Sequence, residues 1–173
     1  THQQEYEKAL EYHFKSLKII EALGDNMVIA NLYNNIGIIY DSQGIYQKAL
    51  DYYERSLNLR KELGDNFGIA ASYNNLGMLY KSQEDYKTAL EYAFKSLEVF
   101  KEIGNKAYNS YPILTIGEIY LEQKEWKLAK TYFTTGLEIS SETGIKPNIK
   151  LAAEGLATIE QELGNYKRAY EYH

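Results

Sequence analysis

The sequence predicts an all-α solenoid, in which antiparallel helix hairpins stack one against the next. The first observation is a repeat of 40 residues, the step that separates Ala9, Ala49, Ala89, Ala129 and Ala169. Periods of about 20–50 residues are typical of solenoids, whose units bury their apolar faces only against neighbouring units. The second observation is that apolar residues within each period follow helical spacing. The third is that the chain has only 2 prolines and no stretch of alternating apolar and polar residues.

Each period contains two predicted helices. Between residues 26 and 65 the buried face of the first helix falls at Tyr33, Ile36, Gly37 and Tyr40, and that of the second at Tyr46, Ala49, Tyr53 and Ser56. Asp25 is placed to cap the first helix, because its carboxylate can accept a hydrogen bond from a backbone amide. Gly44 suits a left-handed turn between the two helices, and Gly64 ends the second helix.

The period also sets the limits of the units. Residues 1–25 match the second helix of a partial unit, residues 26–65, 66–105 and 106–145 are full units, and residues 146–173 form a second partial unit. Both ends fall inside a unit, and neither resembles the polar capping unit that is typical of solenoids. We therefore expect a piece of a longer protein, whose uncapped ends predict end-to-end self-association.

Three glycines lie in the middle of predicted first helices, at Gly37, Gly77 and Gly117. Glycine costs about 0.5–1 kcal/mol relative to alanine in a helix interior. Its recurrence therefore predicts that the second helix crosses too closely for a side chain, with Ala49, Ala89 and Ala129 as the matching small residues. Pro112 also falls inside a predicted first helix, and proline is tolerated only in the first turn. That helix is predicted to begin late, near Tyr111, or to be kinked.

These residues resemble the tetratricopeptide repeat, a helix–turn–helix unit of about 34 residues. The resemblance rests on Tyr33, Ile36, Gly37, Tyr40, Gly44, Tyr46, Ala49, Tyr53 and Ser56, then on Tyr73, Leu76, Gly77, Tyr80, Tyr86, Ala89 and Ser96, and on Ile116, Gly117, Tyr120, Trp126, Ala129 and Phe133. The longer period is similar to that of G-protein regulator scaffolds, bacterial peptide-pheromone receptors and sensory regions of bacterial kinases and cyclases. The resemblance implies a right-handed superhelix whose first helices line the concave face. The pattern departs at Glu84 and Lys124, which replace the turn glycine, and at Ala157 and Glu160 in the last unit.

Composition narrows the possible partners. The net charge is −5, with 24 acidic and 19 basic residues mixed along the chain, which argues against a nucleic-acid surface. No apolar run approaches the ~18 residues of a membrane span, and no secretion signal is visible. We expect a cytoplasmic protein, or a periplasmic one if the full chain carries a signal peptide. The sequence has 0 cysteines, so thiol nucleophiles and thiolate metal sites are absent.

Catalysis is not predicted. The three histidines, His2, His13 and His173, have no acidic partners at a spacing typical of metal ligands. No phosphate-binding loop, nucleophile elbow or dinucleotide fingerprint occurs. We therefore predict no enzyme activity, no catalytic residue, no metal and no cofactor.

The resemblance places ligand contacts at the inward positions of the first helices. These are Asn31, Asn34, Asn35, Ile38 and Asp41 in one unit, Asn74, Asn75, Met78 and Lys81 in the next, and Tyr111, Thr115, Glu118 and Glu122 in the third. The paired asparagines are suggestive, because an amide offers two donors and an acceptor, which suits a peptide backbone. Asparagine is also a poor helix former, so adjacent pairs need a reason. They either bind a ligand or link one layer to the next, and the sequence leaves both roles open.

Three functions are compatible with these features. The preferred hypothesis is a groove that binds a protein segment or an extended peptide. Lys81 is the only cation among the inward positions, which disfavours capture of an acidic C-terminus and favours a neutral or amphipathic partner. The second hypothesis is an input domain that controls a kinase or cyclase elsewhere on a longer chain. The third is a structural spacer that assembles through its ends.

Overall fold

The structure, a computed structural model, describes residues 2–172, so Thr1 and His173 lie outside it. Those residues form nine α-helices and no strand. The helices are α1 (His2–Leu23), α2 (Asn26–Ser42), α3 (Tyr46–Leu63), α4 (Asn66–Ser82), α5 (Tyr86–Ile103), α6 (Ser110–Glu122), α7 (Trp126–Thr143), α8 (Lys146–Glu162) and α9 (Tyr166–Glu171). A 3₁₀ turn, Lys106–Asn109, precedes α6. The predicted all-α solenoid is confirmed.

Helices pack only against near neighbours in the chain. The hairpins are α2 with α3, α4 with α5 and α6 with α7, and each stacks on the next through α3 on α4, α5 on α6 and α7 on α8. The first helices of adjacent layers, α2, α4, α6 and α8, also contact one another. Among residues 2–172 the backbones of the second helices α1, α3, α5 and α7 lie farther apart, and long side chains bridge them, as where the rings of Phe14 and Tyr52 lie 6.1 Å apart. Because the array is tighter along the first helices, these line its concave side.

The turns between helices are fixed by the residues that the sequence indicates. Oδ1 of Asp25 accepts a hydrogen bond from the Val28 amide at 3.1 Å, as predicted for a helix cap. Gly44 and Gly64 adopt the expected left-handed conformation, with φ of 71° and 67°. Glu84 and Lys124 hold the same conformation, with φ of 61° and 60°, although each carries a side chain.

The mid-helix glycines permit close crossings by the second helix of the same unit. A Cβ atom at Gly37 would lie 2.7 Å from the ring of Tyr53, and one at Gly117 would lie 3.3 Å from the ring of Phe133. At Gly77 the nearest atoms are backbone: a Cβ atom there would lie 3.2 Å from the carbonyl oxygen of Ala89, one of the predicted alanines, and 3.3 Å from the amide nitrogen of Ala93. The atoms nearest to these glycines are thus ring atoms in two units and backbone atoms in one.

Pro112 lies in the first turn of its helix, as predicted. The 3₁₀ turn Lys106–Asn109 takes the place of the first helical turn seen in other units, and α6 begins at Ser110. Proline is compatible with this position because its missing amide hydrogen would have no intrahelical partner there.

The last layer compensates for its unusual residues with an ion pair. Glu160, only 1% exposed, binds Lys130 of α7 and accepts a hydrogen bond from Nδ2 of Asn165 at 2.8 Å. The Lys130 ammonium and the Asn165 amide hold the pKa of the Glu160 carboxyl below its usual range. The layer therefore buries a satisfied charge at the register where the preceding units have Tyr40, Tyr80 and Tyr120.

Candidate binding groove

The thirteen predicted contact residues all lie on α2, α4 and α6, but their exposure differs. The exposed ones are Asn31, Asn35, Ile38, Met78, Tyr111 and Glu122, and the half-buried ones are Asn34, Asp41, Asn74, Asn75, Lys81 and Glu118. Thr115 is different, because it is 4% exposed and its hydroxyl donates to the Tyr111 carbonyl oxygen of its own helix at 3.3 Å. Thr115 therefore packs inside the array and offers the groove little surface.

One asparagine from each pair links two layers. Nδ2 of Asn75 on α4 donates to Oδ1 of Asn34 on α2 at 2.7 Å. This hydrogen bond supports the structural role for these two residues, because it joins first helices of adjacent units across the concave side. Of the other two asparagines, Asn35 is exposed, and Asn74 lies beside Phe67, Phe100 and Tyr111.

Asn31 belongs to a polar network centred on a buried arginine. Nη2 of Arg60 donates to Oδ1 of Asn31 at 2.7 Å, and Nη1 pairs with Oδ2 of Asp65 at 2.8 Å. Nε of Arg60 also donates to the Ser56 hydroxyl at 3.1 Å. A Cβ atom at Gly68 would lie 1.7 Å from Nη1 of Arg60, so the glycine leaves room for the guanidinium. The space between α2 and α4 at this level is therefore filled.

The equivalent space between α4 and α6 is an open pocket of about 160 Å³. It is lined by Phe67, Ala71, Asn74, Asn75, Phe100 and Tyr111. The rings of Phe67 and Phe100 meet edge to face with centroids 5.6 Å apart. Tyr108 packs against Phe67 from behind, at 4.7 Å. Because these rings support one another, the pocket has a rigid aromatic wall.

A single polar atom of the pocket lining is buried without a partner. Oδ1 of Asn74 receives no hydrogen bond from residues 2–172. Its Nδ2 atom lies 3.8 Å from Sδ of Met78, a weak acceptor on the same helix. A buried acceptor that lacks a donor costs about 1–3 kcal/mol. Oδ1 of Asn74 is therefore the one side-chain acceptor of the lining that would gain from an N–H or O–H donor.

Carboxylates outnumber cations two helical turns from the pocket. Lys81 lies 3.1 Å from Oε2 of Glu118 and 3.7 Å from Oε1 of Glu122, so one ammonium is shared by two acids of α6. Asp41 on α2 contributes a third carboxylate, and this side chain makes no hydrogen bond or ion pair within the described part of the chain. Burial raises the pKa of Asp41, and attraction to Lys81 offsets only part of this effect. This end of the groove is therefore acidic.

Three pocket residues were not predicted from the sequence: Phe67, Ala71 and Phe100. Phe67 and Phe100 lie at the repeat positions held by Met27 and Arg60 in the preceding unit. Two changes between equivalent positions could have indicated the pocket. Arg60 in one unit becomes Phe100 in the next, and Asn31 becomes Ala71.

Other kinds of site find no support in residues 2–172. No group of three or more histidine, cysteine, aspartate or glutamate side chains among them could hold a metal ion. Of the same residues, no helix has both the length and the apolar character that a membrane crossing requires.

Comparisons with solved structures agree with this architecture. Aspartyl phosphate phosphatase F from Bacillus subtilis superposes with a TM-score of 0.87 at 19% identity, over 99% of this chain and 45% of that one. A Rap protein complexed with Competence and Sporulation Factor gives a TM-score of 0.81 at 18% identity, over 96% and 47%. A signal-transduction ATPase with numerous domains and a tetratricopeptide repeat sensor, from Pyrococcus horikoshii, gives 0.77 at 24% identity, over 96% and 25%. The chain spans less than half the length of each.

No curated protein matches the chain in sequence. The family model of the tetratricopeptide repeat, however, matches residues 1–62 and 43–102, which together cover more than half of the chain. Together with the 40-residue period and the stacked hairpins, this match shows that the chain belongs to the tetratricopeptide repeat family.

Proposed function

We propose that this chain is a protein-interaction scaffold whose concave groove binds an extended segment of another protein. The observation that carries the proposal is the aromatic pocket between α4 and α6, which combines an apolar wall with the unpartnered Oδ1 of Asn74. Recognition sites are typically apolar hollows with a few polar groups that fix orientation. The pocket is the anchor point, and the segment extends from it over the neighbouring first helices.

The remaining contacts follow from exposure on the same face. Asn35, Ile38 and Met78 point to solvent from α2 and α4, beside the linked pair Asn34 and Asn75. The two linked asparagines position the wall of the groove, and Asn35 is free to bond a peptide backbone. We expect a protein partner and not a nucleic acid, since the chain carries a net charge of −5.

The fold comparisons are consistent with this role. One Rap protein of similar fold is described in complex with a separate factor, Competence and Sporulation Factor. A second similar structure is described as a signal-transduction ATPase with a tetratricopeptide repeat sensor, and the present chain spans 25% of that protein. An input domain in a longer signalling chain is therefore a second candidate function, in which the same groove would bind the signal.

The proposal is tested by filling the pocket. Ala71→Phe places a ring inside it, while Thr134→Phe adds the same ring on the exposed outer face of α7 and serves as the matched control. We expect the wild-type chain and Thr134→Phe to capture the same partner from an extract of the source cells, and Ala71→Phe to lose it. Circular dichroism must show equal helix content in all three. Capture by Ala71→Phe at wild-type levels would show that the pocket is not the anchor.

A further inference from the structure

We propose that the groove recognises a segment that carries a large apolar side chain and, about three residues along, a lysine or arginine. This inference rests on the proposed function and adds the chemistry of the partner. The proposed binding site has two ends. One is the pocket at Asn74, and the other is the group of carboxylates of Asp41, Glu118 and Glu122.

The apolar end follows from the volume and lining of the pocket. A cavity of about 150 Å³ lined by apolar side chains accommodates a benzene ring, and this pocket measures about 160 Å³. One phenylalanine, leucine or tryptophan side chain fits, whereas two do not. Oδ1 of Asn74 lacks a donor, and a backbone N–H of the bound segment supplies one.

The preference for a basic residue in the bound segment follows from the excess of carboxylates around Lys81. Its ammonium already serves Glu118 and Glu122, and the Asp41 carboxylate beside it has no ion pair. Glu122 keeps 42% of its side chain exposed, so it is open to a partner, while Lys81 is only 14% exposed. A second cation beside Glu122 would neutralise part of the excess negative charge around Lys81. An acidic segment would meet repulsion there.

The spacing follows from helix geometry. Asn74 and Lys81 are seven residues apart on α4, and Tyr111 and Glu118 are seven apart on α6. Seven residues are two turns, so each pair lies on one face with a rise of about 10 Å. An extended segment advances about 3.3 Å per residue. A segment that lies along the furrow between α4 and α6 therefore spans the two ends with three residues.

A display library of random short peptides tests this without knowledge of the natural partner. The library is selected against the wild-type chain, against Ala71→Phe, and against the double variant Asp41→Asn and Glu122→Gln. We expect the wild type to enrich peptides with an apolar residue followed after about three positions by lysine or arginine. The double variant should keep the apolar preference and lose the basic one, and Ala71→Phe should lose the apolar one.

Affinity measurements on one enriched peptide then sharpen the test. Replacement of its basic residue by glutamate should weaken binding to the wild type by about tenfold at about 0.05 M NaCl, and by much less at about 0.5 M. The double variant should bind both peptides nearly equally. Crosslinking from the apolar position should label residues of the pocket, which checks the location even if Ala71→Phe unfolds.

The outcomes separate the two proposals. Enrichment of peptides with no charge preference, or with acidic residues, would overturn the inference and leave the groove as a binding site. Crosslinks outside the pocket would overturn the apolar end. Failure of the wild type to enrich any peptide would count against the proposed function itself.

Discussion

Two equivalent junctions of the array differ in what fills them. The first junction, where α2, α3 and α4 meet, contains Asn31, Arg60 and Gly68. The second junction, one period later, contains Ala71, Phe100 and Tyr108. In the first, a guanidinium bonded to an amide and a carboxylate occupies the space. In the second, rings line the space and leave it open to the groove.

The difference shows how a repeat array acquires one local site. The period fixes where side chains converge, because the same three helices meet in each layer. The residue types at those positions then decide whether the space is sealed or open. A single register change from Arg60 to Phe100, with Asn31 replaced by Ala71, removes the polar filling and creates the pocket.

The largest effects are expected from removing the two central side chains. Phe100 is 2% exposed, so Phe100→Ala should destabilise the fold by about 3–5 kcal/mol through cavity formation. Arg60→Ala leaves Asp65 and Asn31 without their partner and should cost about 3 kcal/mol or more. Urea unfolding followed by circular dichroism measures both.

The two substitutions should differ in their effect on binding. Only Phe100→Ala removes part of the pocket wall, so only this variant should lose the captured partner at a temperature where both are folded. A cost below about 1 kcal/mol for either would mean that its junction relaxes freely, and the contrast between them would fail.

A smaller effect is expected from the residue that makes room for Arg60. Gly68→Ala should cost about 1–3 kcal/mol, because the new methyl group displaces the guanidinium from Asp65. In an Arg60→Phe background the same substitution should cost less than about 0.5 kcal/mol. The next layer shows why: it has Phe100 at the position of Arg60, and the position of Gly68 is occupied there by Tyr108, which carries a full side chain. The four proteins form a double-mutant cycle in urea unfolding. Equal costs in both backgrounds would show that Gly68 is not kept for Arg60.

The layered fold was predictable because its signals are local and repeated. Spacing within helices, the cap at Asp25 and the left-handed turn at Gly44 are each set by a few neighbouring residues. The late start of α6 followed equally from Pro112 alone. The nearest neighbour of each mid-helix glycine was not predictable in this way, because the crossing of two helices decides that the Tyr53 ring lies closest to Gly37.

The groove was predictable in place but not in content. The first helices that line it follow from the repeat. Of the thirteen contact residues predicted on those helices, twelve are partly or fully exposed. The pocket does not, because Phe100 comes from a second helix and reaches the concave side only where two layers meet. The role of Asn75 likewise depends on a partner 41 residues away, Asn34, which no local pattern can identify.

The smallest expected effects concern the turns, where the units again differ at one register. Glu84 holds a left-handed backbone, with φ of 61°, that Gly44 adopts without a side chain. That conformation costs about 1–2 kcal/mol for a residue with a Cβ atom, and the flexibility of glycine in the unfolded chain offsets part of the gain. Glu84→Gly should therefore stabilise the fold by about 0.5–1 kcal/mol, and Gly44→Glu should destabilise it by a similar amount. Lys124→Gly is a second test of the same effect and should also stabilise the fold, since φ is 60° there. A lower Tm for both glycine variants would mean that these side chains make contacts worth more than the strain.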